Sequence, residues 1–188
     1  MSNELWPARY QATKPMFRFF WSTYKIMTHG ELRLFARQKA FRLKESINVY
    51  TDASQTHCRL QISARNVIDF SATYDVTDAT TGENVGSLQR QGMKSFLRDS
   101  WIINNEHNQP IGAIQEDSGT LALIRRLFLR WIPQTFHIIV GGTPAGTIRQ
   151  RFRFFTLTYD VDHEHESLDN RLGLAASILL LAIEGRQN

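Results

Sequence analysis

The chain has 188 residues and a mass of 21.7 kDa, a length that suits one domain with a sizeable core. With 42% apolar and 21% charged residues it resembles neither a disordered nor a collagen-like chain, and a single cysteine, Cys58, excludes an internal disulfide. The net charge of +4 conceals four blocks: nine Lys and Arg against three acids in 1–50, five against nine in 51–117, six against none in 118–159, and two against six in 160–188.

At the N-terminus, Met1 to Pro15 shows no basic segment followed by an apolar core, so no secretory signal is expected and a reducing, cytoplasmic setting is the default. Residues 1–16 read as an N-terminal extension and 17–188 as one domain. Aromatics accompany the basic stretches, in Phe17-Arg18-Phe19-Phe20-Trp21, Phe35 to Phe41, Phe128 to Trp131 and Phe152 to Phe155. Two readings stand side by side. Strands alternating a buried aromatic with an exposed Arg would give this pattern, and so would a basic, aromatic-edged surface for phosphates.

Hairpins then follow one another along the chain. Tyr24 to Ile26, His29-Gly30 and Leu32 to Leu34 form a degenerate first one. The segments opening at Ile47, Tyr74 and Trp101 start 27 residues apart, and each reads as strand, polar turn, strand. Gly82 can supply the positive φ of the turn in Tyr74 to Arg90, and Asn108-Gln109-Pro110 is the turn in Trp101 to Gln115. Phe136 to Val140, Gly141-Gly142 and Gly146 to Arg149 make another copy, with Phe154 to Val161 as a further strand. Ten to twelve strands in one domain need closure, and a closed meander barrel removes exposed edges.

Two segments break the repeat. Leu121 to Trp131 places apolar residues at 121, 124, 127, 128 and 131 on one helical face, with Arg125, Arg126 and Arg130 off it. A basic amphipathic helix is expected there, either sealing a barrel mouth or lying on a membrane or partner. Leu172 to Ile183 is apolar on all sides. At 1.5 Å per residue it spans about 18 Å against a hydrocarbon core of about 30 Å, so it is too short to cross. Asp169 fits its N-cap and Gly185 its C-terminal stop, and a helix near 168–184 threaded through the barrel accounts for it.

Repeated hairpins in Tyr74 to Arg90 and Trp101 to Glu116, closed by the apolar tail Leu168 to Ile183, resemble the tubby C-terminal-like fold shared by LURP-one-related proteins and phospholipid scramblases. The resemblance covers residues 17–185 and rests on architecture and periodicity. It implies a mainly β protein, a closed antiparallel barrel of about twelve strands around a buried C-terminal helix, and, for some relatives, binding to phosphoinositides or membranes.

The strongest local cluster is Asp160, Asp162, His163, Glu164 and Glu166, with Asp169 nearby. Scramblases are similar in having an acidic, proposed calcium-binding stretch before the final helix. EF-type spacing is absent here, and interleaved histidines suit transition metals better than calcium; a solvated acidic loop is the plainer reading. No nucleophile elbow, zincin helix or phosphate loop is present, and His57 and Cys58, adjacent on a strand, face opposite ways. His29, His107 and His137 show no paired acid. An enzymatic site assembled only in space stays open. The favoured function is a non-enzymatic module docking on an anionic membrane surface or phosphoinositide through Arg125, Arg126, Arg130, Arg149, Arg151 and Arg153, with Phe128 and Trp131 as interfacial anchors. A protein-interaction scaffold is the alternative; nucleic acid ranks lower, for pI near 9.5 comes without a recognised motif.

Overall fold

The computed structural model describes residues 5–16, 21–39, 46–68, 71–91, 100–117, 133–151, 155–163, 166 and 168–184. Twelve strands form a closed antiparallel barrel in simple meander order. They are β1 (Arg9–Pro15), β2 (Trp21–Thr28), β3 (Glu31–Lys39), β4 (Ile47–Tyr50), β5 (Cys58–Ile68), β6 (Ser71–Asp78), β7 (Asn84–Gln91), β8 (Ser100–Asn104), β9 (Pro110–Glu116), β10 (Thr135–Val140), β11 (Thr143–Arg151) and β12 (Thr156–His163), followed by helix α1 (Asn170–Glu184).

The 27-residue repeat is the inward face of alternate strands. Ile47, Tyr74, Trp101 and Phe136 lie on β4, β6, β8 and β10, all buried. Each stands opposite a buried aliphatic residue of the next strand: Ile62, Leu88, Ile114 and Ile148. Buried apolar cross-strand pairs of this kind, three of the four with an aromatic member, fix register, because a slip of one residue would turn the whole set outward.

One expectation is corrected. Residues 9–15, read as part of an N-terminal extension, form a barrel strand that pairs with β12 over seven positions and closes the sheet. Its inward residues are Tyr10, Ala12 and Lys14. A buried lysine at the third inward position interrupts the apolar alternation that reveals the other strands.

Helix α1 runs inside the barrel. It touches β12, β1 and β2 on one side and β6 and β7 on the other. Every residue from Leu172 to Ile183 is buried, including Ile178, which accounts for an apolar residue on every face of the helix. Asp169 caps it, its carboxylate accepting from the Arg171 backbone N–H at 2.8 Å. Gly173 is where the helix passes closest to the wall, since a Cβ there would stand 2.5 Å from His163 Nε2. Beside it, the Tyr10 hydroxyl donates to the Gly173 carbonyl at 3.1 Å and shares a hydrogen bond with Ser177. Burial pushes the Tyr10 phenol up, only partly offset by Ser177, so it stays a neutral donor.

Meander order sorts the connections by parity. Every link from an even strand to the following odd one lies at the end where α1 begins, and every link from an odd strand to an even one lies at the end where α1 finishes.

Candidate functional site

The helix N-terminal end is closed by tight polar turns. His29 (φ 52°) and Gly30 (φ 83°) make a two-residue turn between Thr28 and Glu31, which pair across it. Asp52 accepts from the Ser54 backbone N–H at 2.8 Å, Asp78 from Thr80 at 2.9 Å, and Asn105 from His107 at 3.0 Å and Gln109 at 2.9 Å. Side chains holding their own backbone in this way fix turns without apolar packing. Arg171, largely buried, ties the helix to this rim. Its guanidinium donates to Asp169 at 2.7 Å, to Glu83 at 2.9 Å and to Asp78 at 3.2 Å. Burial raises the Asp78 carboxyl, but the Thr80 and Thr81 amides and Arg171 outweigh it and hold it below the ordinary range.

The opposite end differs in every respect that sequence and topology define. The segments that join odd to even strands there are 16–20, 40–46, 69–70, 92–99, 117–134 and 152–155, and 185–188 follow the helix. Together they contain ten Lys and Arg against four acids, and ten of the twelve phenylalanines. Large apolar side chains are exposed on the described rim at this end. Phe155 is 75% exposed, and Met16 and Trp21 are each 41% exposed. Met16 donates its N–H to the Phe155 carbonyl at 3.0 Å, and the Arg37 guanidinium sits 4.1 Å from the centre of the Trp21 ring. Just inside, Lys14 is buried with its ammonium 3.4 Å from the Leu181 carbonyl and 5.8 Å from the Tyr24 ring centre. A cation at this point meets the negative end of the helix dipole.

The residues singled out in the sequence separate accordingly. Arg125, Arg126, Phe128, Arg130, Trp131 and Arg153 lie outside the described residues, as does Glu164; the first five fall in the segment joining β9 to β10, and Arg153 in that joining β11 to β12. Arg149 and Arg151 are exposed on the outer wall of β11. Arg151 is ion-paired with Asp160, which also accepts from Gln11 at 2.9 Å. Asp162 pairs with Arg9 at 3.0 Å.

The acidic cluster is thus divided by the wall. Asp160 and Asp162 face outward to arginines, whereas His163 is buried inside against Tyr10, with ring centres 6.5 Å apart. Glu166 is exposed beyond the end of β12. Among the described residues no three of His, Cys, Asp and Glu come together as a metal-holding group.

Sequence inspection missed a paired histidine. His137 Nε2 is 2.6 Å from Asp117 on the outer wall, and Glu106 is 3.4 Å from His107. The His137–Asp117 pair depends on strand register, which spacing alone does not give, whereas Glu106 and His107 are sequence neighbours. The cross-strand neighbours of His137 are Gln115 and Thr147, and burial pushes the Cys58 thiol up, away from the thiolate a nucleophile needs. Arg171 was missed as well, since two of its partners lie 93 and 88 residues away. Among the described residues, no helix is long and apolar enough to cross a membrane.

Neither a curated protein nor a solved structure matches this chain. A family model does: the LURP-one-related model matches residues 32–180. That span runs from β3 into α1, and β1 and β2 precede it and complete the same barrel. The chain belongs to the LURP-one-related family.

Proposed function

We propose that this protein is a non-enzymatic module that docks on anionic phospholipid surfaces with the end of the barrel where α1 finishes. The observation that carries this reading is the sorting of charge and aromatics by parity of connection. Ten Lys and Arg and ten phenylalanines fall in segments attached to one end, while acids and self-bonded turns occupy the other. A random scatter of the same residues would solubilise the whole surface evenly. Concentrated at one end, each Lys or Arg near an anionic bilayer contributes about 1 kcal/mol, screened by salt. Aromatics among the cations suit the interface between head groups and acyl chains.

Arg149 is an exposed cation on the wall leading to this end, while Arg151 is already neutralised by Asp160. The reading therefore rests on Arg125, Arg126, Arg130 and Arg153 more than on Arg151. Co-sedimentation with vesicles of phosphatidylcholine, with and without phosphatidylserine, tests it. The protein is expected to pellet only with the anionic vesicles, less so as salt rises, and to stay in solution when Arg125, Arg126 and Arg130 are replaced by Glu. Equal binding to neutral and anionic vesicles, or none to either, overturns it.

A further inference from the structure

Four large apolar side chains are exposed among the described residues: Met16, Trp21, Leu32 and Phe155. Leu32 stands alone beside the turn at the helix N-terminal end. The other three stand at one end of adjacent strands. Met16 follows β1, Phe155 precedes β12, and the backbone hydrogen bond between them holds their Cα atoms across the β1–β12 ladder. Trp21 opens β2, the strand on the other side of β1. Scattered single exposures are ordinary on a protein surface, but three at one end of adjacent strands give that rim an apolar edge.

The Trp21 ring adds a specific chemistry. Arg37, from β3, lies over its face at 4.1 Å and makes no salt bridge among the described residues. Arg37 Nε is buried, but a guanidinium stacked on a ring face can still offer its terminal N–H groups to a phosphate oxygen, while the indole beside it suits the acyl boundary.

We infer that Met16, Trp21 and Phe155 are the edge of the barrel that enters an anionic bilayer, with Arg37 at the depth of the phosphates. The helix axis then points at the membrane with its C-terminal end first, and the turns at His29, Asp78 and Asn105 face away from it. This rests on the docking reading and deepens it, since it assigns the apolar part of the contact to three residues outside the arginine-rich segment 118–132. Arginines give a salt-dependent encounter; a buried apolar edge gives the part of binding that salt does not screen.

The test uses the full chain and vesicles of phosphatidylcholine with phosphatidylserine. Replacing Met16, Trp21 and Phe155 together by Ser is expected to weaken binding at physiological salt about a thousandfold, at about tenfold for each large side chain withdrawn from lipid, with residual binding at low salt and an unchanged melting temperature. A second measurement reports depth. In a Trp131→Phe background, vesicles brominated in the acyl chain are expected to quench emission, and the added Trp21→Phe change to abolish that quenching; Trp6 and Trp101 are buried and contribute none. Wild-type binding that the triple Ser variant leaves unchanged, with no Trp21 quenching, overturns the insertion edge alone. Absence of wild-type binding to anionic vesicles overturns the docking reading and this inference together.

Discussion

The two ends of the barrel solve the same problem, reversing a strand, by opposite means. Where α1 begins, polar side chains hold the reversals: His29-Gly30 takes left-handed backbone, and Asp52, Asp78 and Asn105 bond their own loops. Where α1 finishes, the connections run to eight residues in 92–99 and eighteen in 117–134, and they carry most of the chain's phenylalanine. Loop residues beyond what a turn requires are commonly retained for contact with something outside the fold. One end is therefore built for closure and the other for contact. The helix is anchored differently at each, by Arg171 in an acidic rim and by Lys14 at its last carbonyls.

The sharpest break of this comparison comes between the ends. Ile178 is fully buried in the middle of the barrel, and Ile178→Asp places an unpaired charge there. Loss of folding, or destabilisation above about 4 kcal/mol by denaturant titration, is expected; a cooperative fold with near-normal melting temperature would contradict the central helix. Next in size is Arg171→Ala, which leaves three carboxylates at the rim without their cation and is expected to cost about 1–3 kcal/mol. It should lower the melting temperature without touching vesicle binding.

A pH dependence sharpens the same point. The Asp78 carboxyl is held below its ordinary range in the folded state. Its contribution is therefore present above the ordinary Asp pKa of about 3.9 and is lost as pH falls through the lower folded value. Asp78→Asn should be less stable than wild type at neutral pH, and the difference should shrink on acidification. A difference that widens towards low pH would contradict the assignment. The smallest effect belongs to the turn. Gly30→Ala, at φ 83° with open space around the added methyl, is expected to cost about 1 kcal/mol through backbone strain alone, read as a modest fall in melting temperature.

Much of the barrel is legible in the chain because its repeat is physical. Ile47, Tyr74, Trp101 and Phe136 each mark an inward position, and Gly30, Gly82 and Gly142 mark turns at one end. The helix is legible from an apolar run too short to span a bilayer. Strand β1 is not, because Lys14 occupies an inward position and Gln11 and Thr13 give little contrast with it. The division of Asp160 and Asp162 from His163 follows from strand alternation once β12 is known to reach residue 163. The polarity of the two ends was hidden for a different reason. The basic and aromatic stretches are spread across the sequence, and only meander order, with its rule that odd-to-even links share an end, gathers them. Counting connections by parity would have found it.

The most direct test compares the ends at equal charge. One variant replaces Arg125, Arg126 and Arg130 by Glu, in the segment joining β9 to β10; the other replaces Arg9, Arg33 and Arg59 by Glu, at the end where α1 begins. Both change the net charge by the same amount. Loss of anionic-vesicle binding in the first, with binding retained in the second, is the predicted result. Equal loss in both would mean that total charge, and not one end of the barrel, governs attachment, and would contradict the account.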